Sequence, residues 1–359
     1  MWSILVVSIL LSVAPLAHAA APTHRDEEVT FSSGTVTLAG TLSIPAGSGP
    51  FPAVVLLSGS GPQDRDSELV GFRPFKVIAE HLVGKGIAVL RFDDRGVGGS
   101  SGSIANSTTG EFADDALAAI RVLRQREEIG DSRIGLIGHS EGAIVAAIAA
   151  SKSADVGFIV WMAGSSVAGE EILQTQAAGL ARAAGASDDT VSDILQKHAA
   201  LLTAIKQGSS DDRLLALSRK LVASQLAAIP ESQRQALGDG AVSERATKQI
   251  LVGLQSRWIR FFIGFDPSTV LQRVTCPVLA VFGGRDLQVP EVPNRSRLEA
   301  ALTEARNTDV TVKVYPDANH LFMTAVTGQP AEYATLPKAF VPTLLEDITG
   351  WIVPHTKAQ

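Results

Sequence analysis

Short runs of contiguous apolar residues, each answered by a stretch of helical character, limit what this chain can fold into. The runs fall at residues 53–57, 87–92, 133–137, 158–161 and 278–282, and residues 310–315 read as a further strand. A strand that is apolar at nearly every position has no face to offer water, so it belongs inside a parallel sheet covered on both sides. Helical patterns lie at 75–83, 111–126, 141–151, 295–305 and 336–353. Strand and helix in this alternation predict an α/β fold with a mostly parallel, doubly wound sheet. Residues 36–44 alternate around Gly40 like a hairpin strand ahead of that sheet.

The alternation stops near Ser165. From there to Asp266, Ala, Gln, Leu and charged residues recur at helical spacing without a convincing strand. The chain therefore divides into a core of 29–164 and 267–354 and an inserted helical cap over 165–266. An insertion here lies above the carboxyl ends of the strands, where such sheets bind ligands, and suits a lid. A packing or dimerisation module is the bland alternative. The length of 359 residues leaves room for one large domain with an insertion. A net charge of −6 with no basic block argues against a nucleic-acid partner. No feature sets an oligomeric state.

Residues 1–20 stand apart. Residues 4–13 are almost wholly apolar, and Ala17-His18-Ala19 has the small-x-small form of a signal-peptidase site. This reads as a secretory signal cleaved near Ala19–Ala21, with the product secreted or periplasmic. The apolar run is short for a membrane span, so stable insertion of the mature chain is not expected. The mature chain then opens with a weakly structured stretch over 22–28. Cys276 is the sole cysteine, so no internal disulfide is possible, and its place before Pro277 reads as a buried thiol. No Cys/His cluster has zinc spacing, and no cofactor is implied.

Gly138-His139-Ser140-Glu141-Gly142 fits the G-x-S-x-G elbow, between an apolar strand and the helix-forming run 143–150. A serine on so sharp a turn is backbone-strained, and the positions two before and two after it leave no room for side chains. In return its hydroxyl rises clear of the sheet beside the N–H groups of a helix start. Such a serine needs a base, and the base needs an orienting acid. Of the 7 histidines, His18 lies in the leader and His24 in the weakly structured start. His81 lies on a helix flank, His198 in the insertion and His355 in the tail. His139 adjoins the serine and is expected to point away from the reacting face. His320 remains, in the loop after strand 310–315. Asp286, in the turn after strand 278–282, is the expected acid, and Asp317 is its rival. The chain order Ser, Asp, His is that of a doubly wound hydrolase.

Two N–H donors are expected to hold a developing oxyanion. One is that of Glu141, and the other that of Ser60 in the Ser58-Gly59-Ser60-Gly61 turn, with Gly61 second. Asp64-Arg65-Asp66 and Asp93-Asp94-Arg95-Gly96 read as ion pairs bracing the loops, with binding of an anionic substrate group as the alternative for Arg65 or Arg95.

Together the segments 59–66, 94–100, 138–142 and Gly283-x-x-Asp286-x-x-Val289-Pro290 resemble the α/β-hydrolase superfamily, over about 29–353. Within it they are similar to a bacterial esterase branch near the serine aminopeptidase-like and dienelactone hydrolase-like enzymes. The resemblance implies Ser140 as nucleophile, Asp286 as acid, His320 as base and a helical cap after the sixth strand. The usual His-Gly of the oxyanion loop is Ser58-Gly59 here. Dienelactone hydrolases proper use cysteine, so Ser140 argues against that activity. The implied function is hydrolysis of small-molecule carboxylic esters, with short to medium acyl chains favoured, through an acyl-enzyme. A peptidase or amidase with Glu170 or Glu171 as an amine site, a thioesterase, and a silent binding protein are the alternatives.

Overall fold

The structure, a computed structural model, describes residues 24–129, 134–227 and 244–356. The expected leader and its cleavage site lie outside the described residues. Eight strands form one sheet: β1 His24–Ser33, β2 Val36–Pro45, β3 Ala53–Leu57, β4 Ala88–Phe92, β5 Ile134–His139, β6 Val156–Met162, β7 Val278–Gly283 and β8 Val310–Tyr315. Their order is β1-β2-β4-β3-β5-β6-β7-β8. β1 and β2, and β2 and β4, pair antiparallel, and every pairing from β4 to β8 is parallel. This is the mostly parallel α/β architecture expected from the apolar runs. β3, β5 and β7 are buried at almost every position, as strands covered on both faces must be.

Helices fill both faces. α1 (Pro74–Gly84) packs with the last helix, Leu344–His355, on one side through Phe75, Ile78, Leu82, Leu344, Ile348 and Ile352. α2 (Thr109–Arg124) and α3 (Glu141–Lys152) lie on the other, with Ile120, Leu123, Ile144 and Ile148 against the sheet. Burial of one such side chain contributes roughly 1.5–3 kcal/mol. Thr108 caps α2 by accepting from the Glu111 N–H, which sets its start.

Between β6 and β7 the described residues are helical: α4 Gly169–Ala183, α5 Asp188–Lys206, α6 Asp211–Ala227, α7 Glu244–Gln255, α8 Arg257–Gly264 and α9 Ser268–Leu271. Ile194, Leu201, Ile205, Leu214, Leu221 and Ile263 give these helices an apolar cluster of their own. The two ends of the excursion are fastened together, since the Gly169 N–H donates to the Phe265 carbonyl at 2.9 Å. α10 (Glu291–Glu304) follows β7, and α11 is the closing helix Leu344–His355.

Three local expectations fail. The stretch expected to be weakly structured is β1, running from His24. Side-chain bonds fasten it: Thr41 to Glu28, Ser43 to Asp26, Arg126 to Glu27 and Arg25 to Glu128. The last helix begins at Leu344 instead of 336, because Pro337 and Pro342 interrupt the earlier turns. Cys276 is half-buried rather than buried.

The order β4-β3-β5 reverses the direction of winding between β3 and β5, so the loops leaving those two strands diverge and open a crevice. The turn over residues 58–61 leaves β3 there and Ser140 leaves β5. The neighbouring β7 and β8 deliver the loops of Asp286 and His320 to the same edge.

Candidate active site

Ser140 sits at φ 55°, ψ −118°, a left-handed-side conformation that costs a non-glycine residue of order 1–3 kcal/mol. Its neighbours hold it there. A Cβ on Gly138 would lie 2.1 Å from the Gly142 carbonyl oxygen, and one on Gly142 would lie 2.1 Å from that of Leu57 at the end of β3. The Ser140 N–H donates to the Met162 carbonyl at 2.8 Å, which ties the turn to β6.

Asp286 and His320 meet. His320 Nδ1 stands 2.7 Å from Asp286 Oδ2, and the two side chains are 7% and 0% exposed. The other carboxylate oxygen, Oδ1, accepts the N–H groups of Gln288 and Val289, each at 2.8 Å. His320 and these two N–H groups are the partners of the Asp286 carboxylate among the described residues. In the neutral ring, a bond to a carboxylate favours the imidazole proton on Nδ1 and leaves Nε2 as the acceptor. The His320 loop is itself braced, because Asn319 Oδ1 accepts the N–H groups of Leu321 and Met323. Asp317, the rival acid, is not on His320. It pairs with Arg285 at 2.8 Å, and Arg285 also donates to the Ala325 and Val326 carbonyls.

His139 does not point away from this face. Its Nε2 lies 2.8 Å from the His320 carbonyl oxygen, and the two rings are 4.7 Å apart. A neutral His139 donates that bond. Burial, with the nearby His320 ring second, holds His139 down to about 4, so it stays uncharged at neutral pH. No hydrogen bond joins the Ser140 hydroxyl to the His320 ring among the described residues, a distance that commonly closes only with substrate bound.

The turn after β3 is suspended from two acids. The Ser58 hydroxyl donates to Asp94 at 2.6 Å, and the Gln63 N–H donates to the same carboxyl at 2.9 Å. The Ser60 hydroxyl donates to Glu141 at 2.7 Å. Burial pushes Asp94 up to about 7 against those two hydrogen bonds. Burial also raises Glu141, against bonds from Thr109, Trp258 and Ser60. A Cβ on Gly59 would stand 3.3 Å from Ser140 Cβ, so this backbone runs against the serine. The Ser60 and Glu141 N–H groups have no protein acceptor among the described residues.

The charged motifs brace. Arg65 binds Asp93 at 2.8 Å and also Glu28. Arg91 binds Asp66 at 2.9 Å. Arg95 holds Asp115 through two bonds of 2.7 Å, with both side chains buried. Neither Arg65 nor Arg95 lines the cavity at Ser140.

That cavity has a volume of about 310 Å³. Ser140, His320, Gly59 and Ser60 form its floor, and Ile172, Leu173 and Gln176 of α4 with Trp258 and Phe262 of α8 form its wall. Glu170 pairs with Lys206 and Glu171 is exposed; neither lines the cavity. Trp258 and Thr109, both bonded to Glu141, were not expected here from the sequence. The signal for Trp258 was present, since Trp258, Phe261, Phe262 and Phe265 cluster in a chain with only 5% aromatic residues.

Comparison with known proteins agrees with this fold. The family described as alpha/beta hydrolase fold matches over residues 52–324. Esterase EstD of Thermotoga maritima is 29% identical over 338 residues, spanning 92% of this chain and 70% of that protein. A solved esterase of Pyrococcus furiosus superposes with a TM-score of 0.56 at 17% identity, over 93% of this chain and 92% of that one. Proline iminopeptidase of Mycobacterium smegmatis does so at 0.54 and 16%, over 92% and 99%. At such identities the two solved structures speak to the fold alone.

Proposed function

The chain belongs to the α/β-hydrolase fold family, and on that premise we propose that it is a serine esterase acting on small carboxylic esters. One observation carries the reading. A strained elbow serine and His320, whose ring is held by the buried Asp286, open onto one cavity. Ser140 Oγ attacks the acyl carbon while His320 Nε2 takes its proton. Asp286 fixes the imidazole and stabilises the imidazolium. The N–H groups of Glu141 and Ser60 receive the oxyanion, where preorganised donors act without reorganisation. His320 returns the proton to the leaving alcohol. Water, deprotonated by the same ring, then releases the acid from Ser140.

Ile144, Ile172, Leu173 and Phe262 offer an apolar wall for the acyl chain. A volume of about 310 Å³ is at the small end of ligand pockets, which supports short to medium acyl groups. The helices within 165–266 act in this reading as a lid. The name of the Thermotoga maritima relative supports an ester over an amide.

The test is a panel of p-nitrophenyl esters of increasing chain length and aminoacyl anilides, on purified protein with Ser140→Ala as control. We expect ester cleavage that peaks at short to medium chains and vanishes in the control. Preferential anilide cleavage overturns the choice of ester, and activity surviving in Ser140→Ala overturns the nucleophile.

A further inference from the structure

Glu141 supplies a backbone N–H to the oxyanion in the reading above, and its side chain has no part in that chemistry. Yet the carboxyl is inside the protein, 4% exposed, and it gathers donors from separate parts of the chain. Oε2 accepts the Ser60 hydroxyl at 2.7 Å. Oε1 accepts the Thr109 hydroxyl at 2.7 Å and the Trp258 indole N–H at 2.8 Å. Ser60 lies in the turn after β3, Thr109 opens α2, and Trp258 belongs to α8 of the helical excursion.

Stability does not explain this arrangement. No lysine or arginine is bonded to Glu141 among the described residues, and burying an unpaired acid is costly where an apolar side chain would not be. An acid in the first turn of α3 favours the helix dipole, but an exposed one does so equally well. What the carboxyl adds is direction, since two oxygens fix three donors about the turn that carries Ser140.

We propose that the Glu141 side chain is a positioning group that locks the oxyanion turn and the Trp258 helix to the nucleophile's own turn. Resting on the serine-esterase reading, it explains how a turn with glycine on both sides of Ser60 keeps one shape. Gly59 and Gly61 leave that backbone loose, Gly61 at φ 95°, and the hydroxyl of Ser60 anchors the residue whose N–H meets the oxyanion. The same carboxyl fixes the indole that walls the cavity. Next to it, Arg257 donates to the Asn106 carbonyl at 2.6 Å and pairs with Glu111 at 3.2 Å, so α8 is moored to the core at its start.

The experiment compares wild type with Glu141→Ala, Glu141→Gln, Ser60→Ala, Trp258→Phe and the Ser60→Ala/Glu141→Ala double variant. Each full-length protein is assayed on p-nitrophenyl acetate and labelled with a fluorophosphonate. Loosening one oxyanion donor predicts a fall in kcat of about 10- to 100-fold for Glu141→Ala, below the full loss of a donor, with a smaller change in KM. Glutamine recovers most of the loss, because its oxygen serves Thr109 and Trp258 and its amide donates to the Ser60 hydroxyl. Trp258→Phe acts mainly on KM. The double variant is hardly worse than Glu141→Ala, since both changes remove one contact.

A kcat for Glu141→Ala within about 2-fold of wild type, or single effects that multiply in full, overturns the proposal. If Glu141→Ala fails to fold, Ser60→Ala decides alone. A fall in kcat of about 5- to 10-fold, the order of one hydrogen bond, supports it, and an unchanged kcat overturns it. A wild type that neither hydrolyses ester nor takes the probe sinks the esterase reading and this proposal together. An active wild type with unaffected variants sinks this proposal alone.

Discussion

At the scale of single residues, the site depends on a few atoms with no room to move. Gly142→Ala would set a Cβ 2.1 Å from a backbone oxygen of β3, which cannot swing aside. We expect a loss of about 1–3 kcal/mol or more, read as a lower thermal midpoint, with activity lost as Ser140 shifts. Asp286→Asn makes a different prediction. The amide oxygen can still accept the Gln288 and Val289 N–H groups, so folding survives. The amide NH₂ then faces Nδ1 of His320 and drives the proton to Nε2. Wrong tautomer for wrong tautomer, kcat should fall about 10⁴-fold with little change in the melting curve. A kcat within tenfold of wild type would remove Asp286 from its assigned part. That Ser140, Asp286 and His320 come to one edge was legible because each follows a strand, and strand ends of a parallel sheet share one edge. The direction of the His139 ring was not legible. It is set by the His320 carbonyl, 181 residues further on, and no local pattern encodes so distant an acceptor.

At the scale of elements, the turn after β3 has a measurable pH signature. Asp94 is lifted from an ordinary 3.8 to about 7 by burial. Across that window the folded protein keeps a proton that the unfolded chain releases, so folding stability falls as pH rises. The contribution is full below pH 3.8 and lost as pH climbs through about 7. Asp94→Asn has no such proton. The thermal midpoint of wild type relative to Asp94→Asn should therefore decline between about pH 4 and about pH 8. A constant or rising difference would mean that Asp94 titrates normally. The parallel strands and their helices were readable from periodicity because burial on both faces leaves an unbroken apolar record. β1 was not, for a reason that is physical. It is an edge strand with few buried positions, and polar side-chain bonds to β2 and to Arg126 beyond the end of α2 help to fasten it. The late start of α11 was written in Pro337 and Pro342, whose weight against an otherwise helical composition decides the boundary.

At the scale of the whole molecule, a sheet supplies a fixed edge for chemistry and the helices after β6 supply much of the wall around it. Ile172, Leu173, Trp258 and Phe262 belong to that wall, so in the proposed reading the choice of acyl group rests with the segment least legible in sequence. Helical spacing reveals that such helices exist but not which face looks down on the serine. For the leader our reading is export, tested by fractionation and by sequencing the mature amino terminus, which we expect near Ala20. Among the described residues no helix is long and apolar enough to cross a membrane. The central claim is that Ser140 is a nucleophile activated by His320 and Asp286. Its most direct test is fluorophosphonate labelling of the folded protein, followed by mass spectrometry of the peptide carrying the adduct. The account predicts one adduct, on Ser140, absent from Ser140→Ala and slowed strongly in Asp286→Asn. An adduct on another residue, or none on a folded protein that cleaves esters, would contradict it.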